Sequence, residues 1–229
     1  MNRPQTGLKR AFYRLVRRLK PGADFFLTQI SGIIHVGGHL GEERELYAEH
    51  RLNVLWIEPM EEYFAQLVKA IAPFPKQKAL CRLITDLDDQ DYPFHVSSNN
   101  GESSSILDLA KHKEIWTDVT YVKTQILKSV SLSTLIERDR IDLALYDALV
   151  MDTQGSELLV LKGAQDILPN FKFIKTEAAD FEVYKGCCQL ADLDRFLAGH
   201  GFRRCKTVRF RGKHGLGWYY DAVYCRIQK

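Results

Sequence analysis

The chain has 229 residues, enough for one large α/β domain with a short appendage and too few for two full domains. Its 45% hydrophobic, 27% charged and 11% aromatic residues exclude disordered, collagenous and fibrous classes. The net charge of +3 hides an asymmetry: residues 1–22 carry seven basic residues and no acid, so a basic leader precedes a slightly acidic body.

From Leu8 to Lys20, Leu8, Phe12, Leu15, Val16 and Leu19 recur at helical spacing with basic residues between them. This predicts a basic amphipathic helix over residues 1–22, ended by Pro21-Gly22, ahead of a single domain over 23–229. That helix is expected either to pack with a solvated basic face or to touch an anionic surface peripherally. Residues 8 to 20 are too mixed for a secretory signal core. The uncharged stretch Phe25 to Leu40 is interrupted by Thr28, Gln29, Ser31, His35, His39 and glycines, so it cannot span a bilayer. A cytoplasmic location is expected.

The run Gly32 to Val36 reads as a strand, broken by Gly37-Gly38-His39-Leu40-Gly41 and followed by a helix starting near Glu42. Asn53 to Ile57 reads as a second strand ending in Glu58-Pro59, and Phe64, Leu67, Val68 and Ile71 mark the apolar face of the next helix. Two β-α units in succession predict a parallel sheet with right-handed crossovers. A third strand is expected over Lys78 to Thr85. Residues 86–130 read as irregular decoration, with strand candidates at Pro93 to Ser97 and Gln125 to Ser131.

A helix near Ser133 to Arg138 leads into the buried-strand run Ala148 to Asp152 and a helix from about Ser156, with Leu158, Leu161 and Leu168 on its inner face. Phe173 to Glu177 gives a fifth strand. The following helix presents Leu190, Leu193, Phe196 and Leu197 and stops at Gly201. Arg204 to Phe210 and Trp218 to Arg226 are too close in sequence for a parallel crossover and predict a terminal antiparallel hairpin. The fold class is therefore α/β, an open sheet, mostly parallel. The five cysteines form an odd set without a C-x-x-C pair, so reduced, mostly buried thiols are expected.

In such sheets ligands sit at the carboxyl ends of the strands. That places Gly37, Gly38, His39 and Gly41 after the first strand, Glu58 and Pro59 after the second, Thr85 and Asp86 after the third, Asp152 after the fourth and Glu177 after the fifth. The loop lacks a G-x-G-x-x-G fingerprint, and Glu42 and Glu43 at the following helix start oppose a pyrophosphate. S-adenosylmethionine, which has no phosphate, suits this rim better than a nicotinamide dinucleotide. Glu58 is placed to accept two hydrogen bonds from a ribose diol, the alternative being that it caps the next helix. Thr85 and Asp86 are expected near the adenine, and the donor-rich Ser103 and Ser104 beside cofactor or sugar hydroxyls.

Five segments in order, IIHVGGHLG (33–41), VLWIEP (54–59), SNNGESSSIL (98–107), VMDTQGSELLVLKGA (150–164) and IKTEAADF (174–181), resemble the FkbM-type S-adenosylmethionine-dependent methyltransferases. The resemblance implies a class I methyltransferase (Rossmann-like) fold, a seven-stranded sheet with an antiparallel last strand, and a sugar or glycan-type hydroxyl as methyl acceptor. His35 stands where many members carry aspartate, His39 where asparagine is common and Gln154 where glutamate is usual.

A protonated hydroxyl is a poor nucleophile, so a base is expected within hydrogen-bond reach. Asp152 is the first candidate, with Glu177 and His39 behind it. Glu157 is expected to brace backbone amides. His112, Trp116, Tyr121, Tyr184 and His214 are candidates for shaping an acceptor pocket. The basic run Arg203 to Lys213 reads as a solvated hairpin or as a site for a polyanion. No three-ligand metal set is visible, and no metal or nucleic-acid partner is expected. The competing readings are a nicotinamide-dependent oxidoreductase and a non-enzymatic nucleic-acid or membrane-surface binder.

Overall fold

A computed structural model describes residues 22–227. The expected helix of the basic leader lies outside them. The large sheet has seven strands: β1 (Gly32–Val36), β2 (Asn53–Ile57), β3 (Gln77–Leu80), β7 (Ala148–Met151), β8 (Phe173–Ala179), β9 (Phe202–Lys213) and β10 (Gly217–Arg226). Their order is β3-β2-β1-β7-β8-β10-β9, parallel except where β10 pairs antiparallel with β8 and β9. A small second sheet, β4-β6-β5, is built from β4 (Leu83–Thr85), β5 (Asp91–Ser97) and β6 (Tyr121–Ser131).

Both faces of the large sheet are covered, which is why β1, β2 and β7 read as nearly continuous apolar runs. On one face, Ile33, Val54, Trp56 and Val150 pack with Tyr47 of α1 (Arg44–Glu49) and with Leu67 and Ile71 of α2 (Glu61–Ile71). On the other, Ile34, Ile57, Met151 and Ile174 pack with α3 (Leu132–Arg138), α4 (Glu157–Gly163) and α5 (Leu190–Gly199) through Leu135, Leu161 and Leu193. Each large core side chain buried this way stabilises by about 1.5–3 kcal/mol. The strands' carboxyl ends are left as the place where loops meet.

Several expectations change. The third strand does not run from Lys78 to Thr85. The last pairing is Leu80 with Ile57, Glu58 N donates to Leu80 O, and the Glu58-Pro59 turn then removes the partner. The chain leaves the large sheet and re-pairs as β4 with Ser129 to Ser131 of β6. The residues that follow the third strand are therefore Cys81 and Arg82. Within residues 86–130 both strand candidates hold, lengthened to Asp91–Ser97 and Tyr121–Ser131, and they pair antiparallel as β5 and β6. On α2 the buried positions are Tyr63, Leu67 and Ile71, a four-residue spacing, and Val68 is exposed. On α4 they are Glu157, Val160, Leu161 and Gly163, Leu158 being half-buried, while Leu168 belongs to a later 3-10 turn; α5 runs to Gly199 with His200 as its C-cap and Gly201, at φ +80°, just past it, as expected.

The cysteine expectation is also overturned. Cys205, the extra residue at a register shift in β9, and Cys225 of β10, 20 apart in sequence, form a disulfide across the hairpin, with Cα atoms 5.8 Å apart. Cross-strand register, invisible in cysteine spacing, brings them together. Cys81, Cys187 and Cys188 are free and half-buried. No helix among the described residues is long and apolar enough to cross a membrane.

Candidate active site

The glycine loop after β1 folds back over the end of β2. The amides of Gly37 and Gly38 both donate to Ile57 O, at 2.9 and 3.0 Å. Gly37 has φ +85°, and a Cβ there would lie 2.1 Å from Asp152 O, so glycine is required where β1 and β7 diverge. Gly38 and Gly41 meet α2 instead: added Cβ atoms would lie 3.2 and 2.7 Å from Leu67 methyl carbons.

Glu58 is buried at 5% exposure, and its two oxygens accept from different amides: Oε2 from His39 N at 2.9 Å and Oε1 from Met60 N at 3.0 Å. Met60 is the N-cap of α2, so Glu58 steadies that helix start and the glycine loop at once. One acceptor direction on each oxygen is left over, the geometry a ribose diol uses. Burial raises the Glu58 pKa to about 6, against the pull of the Met60 and His39 amides. Pro59 is half-buried, and its carbonyl receives the Cys81 thiol at 3.6 Å.

His39, at φ +42°, bridges three elements. Its Nδ1 meets Glu42 Oε1 at 3.0 Å, its Nε2 meets Asn100 O at 2.8 Å, and its ring lies 4.8 Å from that of Tyr63. Burial works against its charge, but Glu42 outweighs it and the pKa rises. His35 lies on the opposite side of β1's loop function: it is buried, stacks on Trp56 at 4.7 Å and meets Tyr47 Oη at 3.2 Å.

The Asn-Gly-Ser loop closes over this region. Gly101, at φ +80°, lies against Tyr63, where a Cβ would reach the ring at 2.3 Å. Ser103 Oγ accepts from Asn99 Nδ2 at 2.9 Å, and Ser104 Oγ accepts from Ser97 N at 3.1 Å, so both hydroxyls shape the loop itself. Ser105 Oγ donates to Gln154 O at 2.7 Å and ties the loop to the end of β7. Thr85 and Asp86 sit elsewhere, against the far end of α4, where a Cβ on Gly163 would lie 2.0 Å from Thr85 O.

After β7, Asp152 N donates to Val36 O, and its Oδ1 accepts from Gln154 Nε2 at 2.6 Å. Gln154 Oε1 in turn accepts from Tyr184 Oη at 2.7 Å. Glu157 is buried, and its carboxylate accepts from the amides of Thr153 and Gly155 at 3.1 Å, bracing the turn that carries Asp152. Beside this turn lies a cavity bordered by Gln154, Glu177, Tyr184, Cys187, Cys188 and Tyr219. Tyr219 is 5% exposed, and among the described residues its Oη lacks a hydrogen bond of normal geometry, as do Thr153 Oγ1 and His112 Nδ1. Burial lowers the His112 pKa to about 4. A buried polar group left unmatched costs about 1–3 kcal/mol, so the Tyr219 hydroxyl at the cavity border fits a polar contact there.

The fold thus brings Gly37, Gly38, His39, Gly41, Glu58, Pro59 and Asp152 to one edge, with Glu177 in the adjoining cavity and Ser103 and Ser104 in the loop above. It does not bring Thr85 and Asp86. Tyr219 was not singled out in the sequence, and only its alternation along β10 with the buried Asp221 and Val223 marks it as inward-facing.

These features agree with what the chain is similar to. A family model described as the methyltransferase FkbM domain matches residues 35–204. Among solved structures, Streptococcus pneumoniae Sp1610, a candidate tRNA (m1A22) methyltransferase in complex with S-adenosyl-L-methionine, superposes with a TM-score of 0.52 at 16% identity, covering 93% of this chain and 73% of that one. The magnesium protoporphyrin IX methyltransferase of Synechocystis PCC 6803 with bound SAH does so with a TM-score of 0.52 at 10% identity, covering 97% and 87%. Likenesses at such identities show a common fold. Among curated proteins none matches the chain significantly in sequence.

Proposed function

Because the chain belongs to the methyltransferase FkbM-domain family and is a methyltransferase that uses S-adenosylmethionine, we propose that it methylates a hydroxyl of a sugar or glycan-type acceptor. The observation that carries the cofactor side is Glu58, a buried carboxylate at the end of β2 with one acceptor direction left on each oxygen. When bound, the cofactor supplies an electrophilic methyl group on a sulfonium and requires no phosphate site.

In this reading Glu58 holds the ribose diol, Gly37 and Gly38 let the loop backbone pass close to the cofactor, and His39 fixes that loop to Glu42 and Asn100. Cys81 and Arg82, following β3, take the adenine-side place assigned to Thr85 and Asp86 in the sequence. Asp152 accepts the acceptor's proton as general base, and Gln154 and Tyr184 orient its carboxylate through a hydrogen-bonded chain. Orienting the acceptor against the methyl group supplies up to about 7–11 kcal/mol of rate acceleration. Support for a hydroxylated acceptor comes from the Glu177 carboxylate, which borders the small cavity next to the turn that carries Asp152.

No nucleic-acid partner belongs to this reading, and peripheral membrane contact is left to the basic leader. A nicotinamide-dependent activity has no support in the family match. A cytosolic setting is part of the proposal, with the Cys205–Cys225 bond as the feature that stands against it.

Calorimetry with S-adenosylhomocysteine tests the cofactor side. Replacing Glu58 by alanine removes two charge-assisted hydrogen bonds of about 1.5–3 kcal/mol each, so affinity is expected to fall by at least tenfold. Undiminished binding would reject the ribose assignment. Transfer of labelled methyl groups to a panel of hydroxylated and amine acceptors tests the acceptor side, and product on amines alone would overturn it.

A further inference from the structure

The two ring nitrogens of His39 each meet an acceptor. Nδ1 lies 3.0 Å from the Glu42 carboxylate, and Nε2 lies 2.8 Å from the backbone carbonyl oxygen of Asn100. Neither oxygen has a proton to give. A neutral imidazole carries one N–H and one bare lone pair, so either tautomer would set a lone pair against one of these two oxygens. Only the imidazolium, with both nitrogens donating, satisfies both contacts.

The groups around the ring agree with that charge. Glu42 faces it from the start of α1, and Glu58, at the end of β2, accepts the backbone amide of the same residue at 2.9 Å. From α2 comes the Tyr63 ring at 4.8 Å, with Glu62 and, on the Asn-Gly-Ser loop, Glu102 acting on its phenol. The neighbouring cation, Arg44, is directed to Gly41 O at 3.0 Å. Glu42 outweighs burial, and the His39 pKa lies above its ordinary 6.5.

What the ring joins gives the charge a purpose. The Asn-Gly-Ser loop is fixed at its base, where His95 and Ser105 exchange backbone hydrogen bonds at 2.8 and 3.1 Å and Ser105 Oγ donates to Gln154 O. Its tip, Asn100-Gly101, turns through left-handed backbone, φ +60° and +80°, and rests on Tyr63 and on His39. His39 itself belongs to the glycine loop. One side chain therefore ties the tip of one loop to the other loop across the proposed cofactor edge.

We propose that His39 is a charged latch, a positioning residue that as an imidazolium holds the Asn-Gly tip down on the glycine loop and lets it go on losing a proton to solvent. The remaining N–H then stays with the Glu42 carboxylate, the stronger acceptor, and the Nε2 lone pair opposes Asn100 O. A general base must offer a lone pair, and the latched ring has none, so His39 leaves the list of bases and Asp152 keeps that place. The effect on cofactor binding rests on the methyltransferase reading; the latch itself does not. Because the folded pKa is raised, the latch is closed below it and opens as pH rises through it. Glu58, with its pKa at about 6, titrates on the acid side, so the two effects separate.

The test follows the full-length protein from about pH 6 to 9. With nitrogen-15 in its seven histidines, the signal lost in His39→Asn identifies the ring. At pH 6.5 that ring is expected with both nitrogens protonated, titrating above 6.5, and Glu42→Gln should lower its midpoint by about one unit. Hydrogen exchange of residues 98–105, corrected for the intrinsic rate, should quicken through the same midpoint, and S-adenosylhomocysteine affinity should fall by about fivefold or more. His39→Asn, which places the residue common in the resembling family, should fold, bind S-adenosylhomocysteine and lose both alkaline changes. A neutral single tautomer at pH 6.5, a midpoint indifferent to Glu42→Gln, or alkaline loosening that persists in His39→Asn overturns the latch. No S-adenosylhomocysteine binding at any pH, beside a titrating His39 and a loop that loosens with it, would instead reject the methyltransferase reading and leave the latch standing.

Discussion

Glu58 shows how one side chain combines structural and functional demands. Its carboxyl titrates near 6 because burial penalises the charge, while the Met60 and His39 amides restrain the rise. A carboxyl pKa raised in the folded state means that acidification favours the fold: the group binds its proton more readily folded than unfolded. Its contribution, roughly 2 kcal/mol for a shift from 4.5 to about 6, is unfavourable at neutral pH and disappears as pH falls from about 6 toward 4.5. The proposed ribose binding has the opposite sign, because protonation removes an acceptor direction. S-adenosylhomocysteine affinity is therefore expected to fall as pH drops through about 6, and Glu58→Gln should flatten that profile. Calorimetry from pH 5 to 8 checks it, and a profile unchanged in the variant would assign the titration to the neighbouring His39–Glu42 pair instead. The residue's position and its capping role were legible in the sequence, which also offered the ribose role proposed for it, since a strand end followed by proline has few alternatives. That its two amide partners satisfy the capping role while leaving directions for a diol emerges only from the folded loop.

At the scale of elements, two glycines obey the same steric rule with different consequences. A Cβ on Gly37 would lie 2.1 Å from Asp152 O, and one on Gly163 would lie 2.0 Å from Thr85 O. Gly37→Ala adds about 1–2 kcal/mol of left-handed backbone strain to the overlap and splays β1 from β7 at the cofactor edge. It should lower stability by about 3 kcal/mol and weaken S-adenosylhomocysteine binding severely. Gly163→Ala separates α4 from β4, where the small sheet docks, and costs about 1–3 kcal/mol. Because Gly163 lies at the opposite end of α4 from Glu157, cofactor affinity should survive. Chemical denaturation with parallel calorimetry separates the two, and equal loss of binding would mean that the small sheet helps to form the cofactor site. The same scale explains what sequence reading missed. β1, β2, β7 and β8 are visible because their apolar runs end in polar residues. The end of β3 depends on where its neighbour β2 turns away, and the meeting of Cys205 with Cys225 depends on a register shift in β9. Pairing register decides both, and hydropathy does not record register.

For the whole molecule, the sheet order separates two regions of different chemistry. The proposed cofactor edge is built on β1, β2 and β7, and the terminal hairpin β9–β10 lies beyond β8 at the other end of the sheet. The Cys205–Cys225 bond closes a loop of 20 residues within that hairpin. Chain-entropy reasoning assigns a crosslink of this size about 3 kcal/mol, and the ladder that already joins the strands reduces its effect. Reduction, or the paired change of both cysteines to serine, is expected to lower Tm by roughly 5–10 °C in a domain of this length. S-adenosylhomocysteine affinity should not change, because no residue of β9 or β10 supports Glu58 or the glycine loop. Thiol titration of the denatured protein reads the redox state directly: three reactive thiols with the bond intact and five without it. Five thiols in protein isolated under non-reducing conditions with alkylation at lysis, together with an unshifted Tm on adding reductant, would make the reduced hairpin the working form and agree with a cytosolic setting. Three thiols and a Tm that falls on reduction would place the folded protein in an oxidising compartment, where such a crosslink persists.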